Sequence, residues 1–187
     1  MLAGILHSEA YLRSSRWTGA DPRPPANRYA TAALKPLSAP QLAHSLALAT
    51  GHADAVRAKL KGEAVTLVQV RKQYERDRDY AAVVTRFKPS GDGFQANASH
   101  ALFLAFNPVI ENMLKPTPTA LVSRLAKATD PGEVARVAYL AILSRRPSAA
   151  EVAAVAAHLA TPGVPREQLA REVAWALLAG PEFRFNH

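Results

Sequence analysis

The chain has 187 residues, with 23 Lys/Arg against 15 Asp/Glu for a net charge of +8, and it has no cysteine. That length suffices for a domain burying roughly 70% of its unfolded surface. The missing cysteines exclude disulfides, thiolate metal sites, thiol nucleophiles and covalent haem attachment within it. Hydrophobic residues make up 49% but aromatics only 7%. Much of the apolar content is alanine, which favours helix over strand, and no run of about 18 apolar residues predicts a membrane span. The charge is uneven: residues 1–90 carry 14 basic and 7 acidic side chains, residues 91–187 carry 9 and 8.

In chain order, Leu2–Arg13 places Leu2, Ile5, Leu6, Ala10 and Leu12 close to a helical stripe. Met1–Leu6 is too short for a signal peptide and no basic residue precedes it. Met1 already stands inside the pattern, with no capping residue before it. Residues 18–37 read as a proline-rich strap, because Asp21-Pro22-Arg23-Pro24-Pro25 lacks the backbone donors a helix needs. Ser38-Ala39-Pro40-Gln41 is a capping box, followed by a stripe of Leu42, Leu46 and Ala49 that Gly51 ends.

Between His52 and Phe87, Val65–Val70 has the β-branched content of a short strand, but Leu67, Val70, Tyr74, Arg78 and Ala81 keep helical spacing, and helix is favoured. Arg71, Lys72, Arg76 and Arg78 interleave with Glu75, Asp77 and Asp79, the arrangement of a solvated, ion-paired face. Lys88–Asn97 reads as a loop; its Gly91-Asp92-Gly93 lacks the lysine and further glycine of a phosphate loop. Ala98–Phe106 is apolar all round and is expected to be buried. Pro108 breaks it, leaving Asn107 to cap the next helix, Val109–Leu114. Thr119 is expected to cap a helix carrying Leu121, Val122 and Leu125.

Residues 130–187 read as a three-helix unit with a docked tail. Asp130-Pro131-Gly132-Glu133 opens the first helix, whose Val134, Val137, Ala138, Tyr139, Leu140, Ile142 and Leu143 encircle it and predict the central, most buried helix. Arg145-Arg146-Pro147 ends it, cations suiting the last turn and proline stopping it. Ser148-Ala149-Ala150-Glu151 is another capping box. The third helix starts after Pro165, with Leu169, Val173, Ala176, Leu177 and Gly180 on one stripe. After Gly180-Pro181 an irregular tail is expected to lay Phe183 or Phe185 against the helices near Trp175.

Chemistry-bearing motifs are few. The six histidines, His7, His44, His52, His100, His158 and His187, include no pair three or four apart and no zinc-protease helix motif. No Gly-x-Ser-x-Gly elbow and no carboxylate pair for acid–base work stand out. No catalytic residue, metal ligand or cofactor site is assigned. The candidate binding residues are Asn107 at the Pro108 break and Asn186 and His187 in the tail, each with a structural role as the competing reading.

Several blocks resemble a bacterial family. They are Ser144–Glu151, Ala174–Phe183 and the ending Phe185-Asn186-His187, with Ser8-Glu9-Ala10-Tyr11 followed by Ser14-Ser15, Asn27-Arg28, Leu37–Leu42, Ala49-Thr50-Gly51, and Ala101–Leu104 running into Asn107-Pro108. Together they resemble the C-terminal domain of unknown function 1553. That resemblance implies a place downstream of cytochrome c-like and other uncharacterised modules in a larger, exported or cell-envelope protein. It carries no established activity. Cysteines that many relatives hold before the Asn-Pro block are missing here.

The sequence therefore predicts an all-α, orthogonally packed multi-helix bundle, a single helical domain over 1–187. Its expected role is structural or interaction-mediating within a larger bacterial protein. The partner is expected to be another domain of the same parent or a separate protein. Two rivals remain: a part of an enzyme whose site lies mainly upstream, and weak nucleic-acid or anionic-surface binding through the basic first half. Nucleic acid is the less favoured partner, because the charges of that half are mixed in sign.

Overall fold

The computed structural model describes residues 17–60, 65–88 and 98–186, together with Gly4, His7–Glu9, Leu12, Arg13 and Ser15. Its contacts divide the chain into two compact units, Met1–Leu37 with Phe185–His187, and Ser38–Arg184. The helix expected over Leu2–Arg13 falls largely outside the described residues, as do the loop 89–97 and His187.

In the first unit the proline-rich stretch forms no α-helix among the described residues. Ala26–Arg28 makes one turn of 3-10 helix. The stretch is held by side chain to backbone bonds: Trp17 Nε1 donates to the Asp21 carbonyl at 2.7 Å, and Arg13 donates to the Tyr29 carbonyl. Arg23 Nη2 donates to Thr31 Oγ1 at 3.0 Å. Strand β1 (Lys35–Pro36) pairs antiparallel with β2 (Phe185–Asn186), placing Lys35 opposite Asn186 and Pro36 opposite Phe185.

The second unit is an all-α bundle with ten α-helices among the described residues. They are α1 (Ala39–Thr50), α2 (His52–Lys59), α3 (Leu67–Tyr74), α4 (Arg78–Phe87), α5 (Ala98–Phe106), α6 (Pro108–Met113), α7 (Leu121–Lys127), α8 (Pro131–Leu143), α9 (Ala149–Leu159) and α10 (Arg166–Ala179). No described helix is long and apolar enough to cross a membrane.

Helix starts follow local chemistry. Ser38 and Gln41, and Ser148 and Glu151, close the expected capping boxes. Asp130 accepts from the amides of Gly132 and Glu133 at 3.2 and 2.9 Å, while Glu133 turns outward to Arg136. A further box, Thr66 with Gln69, opens α3 and makes Val65–Val70 a helix start rather than a strand. At α7 the expectation fails: Ala120 is the N-cap residue and no side chain caps it. The run expected through Leu67–Ala81 is broken at Glu75–Asp77, and Asp77 caps α4 through the Asp79 amide. The break resets the helical phase, so Val70 and Tyr74 are buried while Leu67 and Ala81 are exposed.

Helix α1 packs against α2, α4, α6, α7 and α8, and α10 packs against α5, α7, α8 and α9. Small side chains carry these contacts. Ala43, Ala135, Ala138, Ala170 and Ala174 are fully buried, which lets helix axes approach closely. Leu46, Leu121, Leu125 and Leu178 fill the spaces between them, each contributing about 1.5–3 kcal/mol by burial. Helix α8 is less enclosed than its apolar content predicts. Val134, Ala138, Ile142 and Leu143 are buried, but Val137 is half-buried and Leu140 is exposed. Gly51 links α1 to α2 with φ of +81°, and a side chain there would run into the Thr119 carbonyl.

The tail behaves as expected in one respect. Pro181–Arg184 forms a turn of 3-10 helix that packs on α8 and α10 and buries Phe183. Trp175 stays partly exposed and donates through Nε1 to the Ala105 carbonyl at 3.2 Å, joining α10 to α5.

Candidate functional site

Three groupings of side chains stand out in the helical unit. The first surrounds Tyr74, which is 1% exposed. Its hydroxyl donates to the Ala43 carbonyl at 3.2 Å, and its ring meets His44, His52 and Tyr80 edge-on at 5.4–5.8 Å. His44 Nε2 lies 3.2 Å from Glu75 Oε1, and His52 Nε2 lies 3.7 Å from Asp77 Oδ2. Burial, then the nearby charges of Asp79 and Asp77, push the Tyr74 phenol above its ordinary pKa. It is thus held as a neutral donor, suited to locking α1 against α3 and unsuited to acting as a base. Among the described residues no three His, Asp or Glu side chains gather as a metal-binding group.

The second grouping is centred on Arg145. Its guanidinium donates to Glu182 from Nε at 2.6 Å and Nη2 at 2.8 Å, and to Glu151 from Nη1 at 2.9 Å and Nη2 at 2.8 Å. It also lies 5.1 Å from the centroid of the Tyr139 ring. Hydrogen bonds to Glu182 and then Glu151 hold Arg145 far above the usual arginine range. The Arg145 guanidinium, then the Ser148 amide, lower Glu151 to about 2. Two carboxylates engage one planar cation through its whole donor edge, which fixes the α8–α9 corner and the tail.

The third is a groove of about 740 Å³ open to solvent. One wall is a single face of α4, with Arg78, Ala81, Ala82, Thr85 and Arg86 at helical spacing. The other is Leu102, Phe103 and Phe106 of α5, continuing to Asn107 and Pro108. The expectation that Ala98–Phe106 is buried is overturned on this side. Phe103 and Leu104 are covered, while Leu102 and Phe106 are 57% and 69% exposed. Hydrophobicity on every side of a helix does not by itself cover every side. Phe103 of that wall meets the Phe87 ring edge-on, Phe87 stacks on His100 at 4.5 Å, and the Arg184 guanidinium lies over Phe87 at 5.7 Å.

The candidate residues are not brought together as one site. Asn107 caps α6, its Oδ1 accepting from the Val109 amide at 2.9 Å, and it also lines the groove. Asn186 stands in β2 opposite Lys35, in the first unit, and nothing is described of its side chain. His187 lies outside the described residues. Sequence reasoning missed Leu102, Phe106 and Arg78 as groove residues. The available signal was the helical spacing of Arg78, Ala81, Ala82, Thr85 and Arg86, a face too small and too basic for a core.

Compared with protein-family models, with curated proteins and with solved structures, the chain finds no match.

Proposed function

We propose that this chain is an interaction-mediating helical domain of a larger bacterial protein, and that the groove between α4 and α5 is its receiving surface. In this reading the helices pack orthogonally and the chain is related to the domain of unknown function 1553, a reading supported by the blocks Ser144–Glu151 and Ala174–Phe183 and the ending Phe185-Asn186-His187. The exported setting follows from that relationship alone. The observation that carries the functional reading is the pair Leu102 and Phe106. Two large apolar side chains stand more than half exposed along one wall of an open groove. A helix that keeps such groups in water gives up about 1.5–3 kcal/mol for each, and a partner recovers that by covering them. The facing wall of small residues leaves room for a third helix, the usual geometry of helix-in-groove recognition.

The test uses a neutral amphipathic helical peptide with leucines on one face, labelled for fluorescence anisotropy. Binding to the whole chain is expected, with at least a tenfold loss in Phe106→Asp. Leu48→Asp, at a comparably exposed leucine on α1, should bind as the unaltered chain does. Binding that Phe106→Asp leaves unchanged would remove the groove from consideration.

A further inference from the structure

Apart from the groove, residues of α6 and α10 line a smaller cavity of about 180 Å³, and we infer that it binds a free α-amino acid through both of that ligand's charges. All of its lining residues are among the described ones. Ile110 and Leu114, both buried, give it an apolar surface. Trp175 lines it from α10 and donates through Nε1 to the Ala105 carbonyl at 3.2 Å. That bond uses the one donor an indole has. What Trp175 offers a ligand is therefore its ring, an apolar surface that also attracts an ammonium group. A cavity of about 150 Å³ accepts a molecule as large as benzene, so this one suits a ligand well below drug size.

The charged side chains lining the cavity are Glu111, Arg171 and Glu172. Glu172 is already engaged: Gln168 Nε2 donates to it at 2.9 Å, and His158 Nε2 lies 2.9 Å from its other oxygen. Glu111 and Arg171 are exposed, and among the described residues neither side chain has a hydrogen bond or ion pair, with each other or with a third group. Lys115, one turn after Glu111, and Glu167, one turn before Arg171, are exposed as well and bridge to neither. One cavity thus carries an uncommitted anion from α6 and an uncommitted cation from α10, beside an aromatic ring. The planar guanidinium can hold an α-carboxylate with two parallel bonds, and Glu111 can accept from an α-ammonium. An aliphatic side chain then covers Ile110, Leu114 and the Trp175 ring. A ligand with a single charge leaves either Glu111 or Arg171 unmatched.

The experiment titrates the whole chain with three probes: L-leucine, leucinamide, which lacks the carboxylate, and N-acetyl-leucine, which lacks the ammonium. Calorimetry reads binding to the unaltered chain. The chain has two tryptophans, so Trp17→Phe makes Trp175 the sole indole signal and reports whether the ligand reaches this cavity. Leucine is expected to shift Trp175 emission and to bind at least tenfold more tightly than either relative, with the advantage shrinking as salt rises. Arg171→Gln should weaken leucine to the level of leucinamide and leave leucinamide unchanged. Glu111→Gln should weaken leucine to the level of N-acetyl-leucine and leave that probe unchanged. Circular dichroism confirms folding of each variant. No response to leucine up to roughly 50 mM overturns the site. Equal affinity for the three probes overturns recognition through both charges. Leucine binding that neither variant weakens places the ligand elsewhere and overturns the assignment to Glu111 and Arg171.

Discussion

Arg145 at the end of α8 and Glu182 in the tail, 37 residues apart, are joined by two hydrogen bonds of 2.6 and 2.8 Å. The same guanidinium holds Glu151 at the start of α9. All three side chains are about 30% exposed, so the cluster is neither fully screened nor fully dry. Arg145→Ala is expected to lower stability by about 2 kcal/mol, because two carboxylates lose charge-assisted bonds together. Arg145→Lys should recover only a minor part, since one ammonium cannot meet two carboxylates edge-on. The midpoint of urea unfolding measures both.

The same cluster sets an acid limit. Glu151 titrates at about 2 in the folded chain and near about 4.3 when unfolded. Its folded pKa is depressed, so the unfolded state binds the proton more readily. The stabilisation is therefore complete above the unfolded value and disappears as pH falls from about 5 towards 2. Urea midpoints over that range should fall less steeply in Arg145→Ala than in the unaltered chain. Parallel slopes would detach the acid response from this cluster.

Phe183 is 5% exposed in the turn that packs on α8 and α10. Phe183→Ala should cost about 3 kcal/mol, the usual range for emptying a buried phenylalanine site. Ending the chain after Glu182 should cost at least as much, whereas Phe185→Ala, at a half-buried position, should cost less. Denaturant unfolding followed by circular dichroism ranks the three.

Gly51 combines a left-handed backbone with a close approach to the α7 entry, where an added Cβ would meet the Thr119 carbonyl and the Ala120 backbone. Gly51→Ala is expected to destabilise by more than about 2 kcal/mol, through conformational strain and that clash together. Gly163 has a similar φ of +76° but nothing near its missing side chain. Gly163→Ala should therefore cost only about 1 kcal/mol, and the thermal midpoints of the two variants should separate accordingly.

What the sequence disclosed was local. Ser38 with Gln41, Asp130 with Pro131, and Ser148 with Glu151 act within one helical turn, so their signatures are complete in four residues. Asn107 was legible for the same reason, as a cap before Pro108. The break at Glu75–Asp77 was obscured because apolar spacing runs through it; only Asp77 as a cap would have revealed a new helix. Glu151 looked fully used by its capping box, yet it also accepts from Arg145, a partner six residues back. Glu182 offered no local sign of its role, since that depends on where α8 ends in space. The exposure of Leu102 and Phe106 was hidden for a related reason. Periodicity tells which residues are apolar, while their neighbours decide which are covered.

The pairing of Pro36 with Phe185 leads to a last point about the helical unit. Ser38 stands two residues beyond one partner and Arg184 one residue before the other, so the bundle's entry and exit lie within a few residues of a shared anchor. Such a unit has the geometry of an insertion, its two ends meeting at one place. The order in which its helices are strung is then separable from their arrangement. A short linker from Arg184 to Ser38, with the chain reopened in the exposed Thr161–Gly163 turn, would give a circular permutant with the same neighbours along every helix.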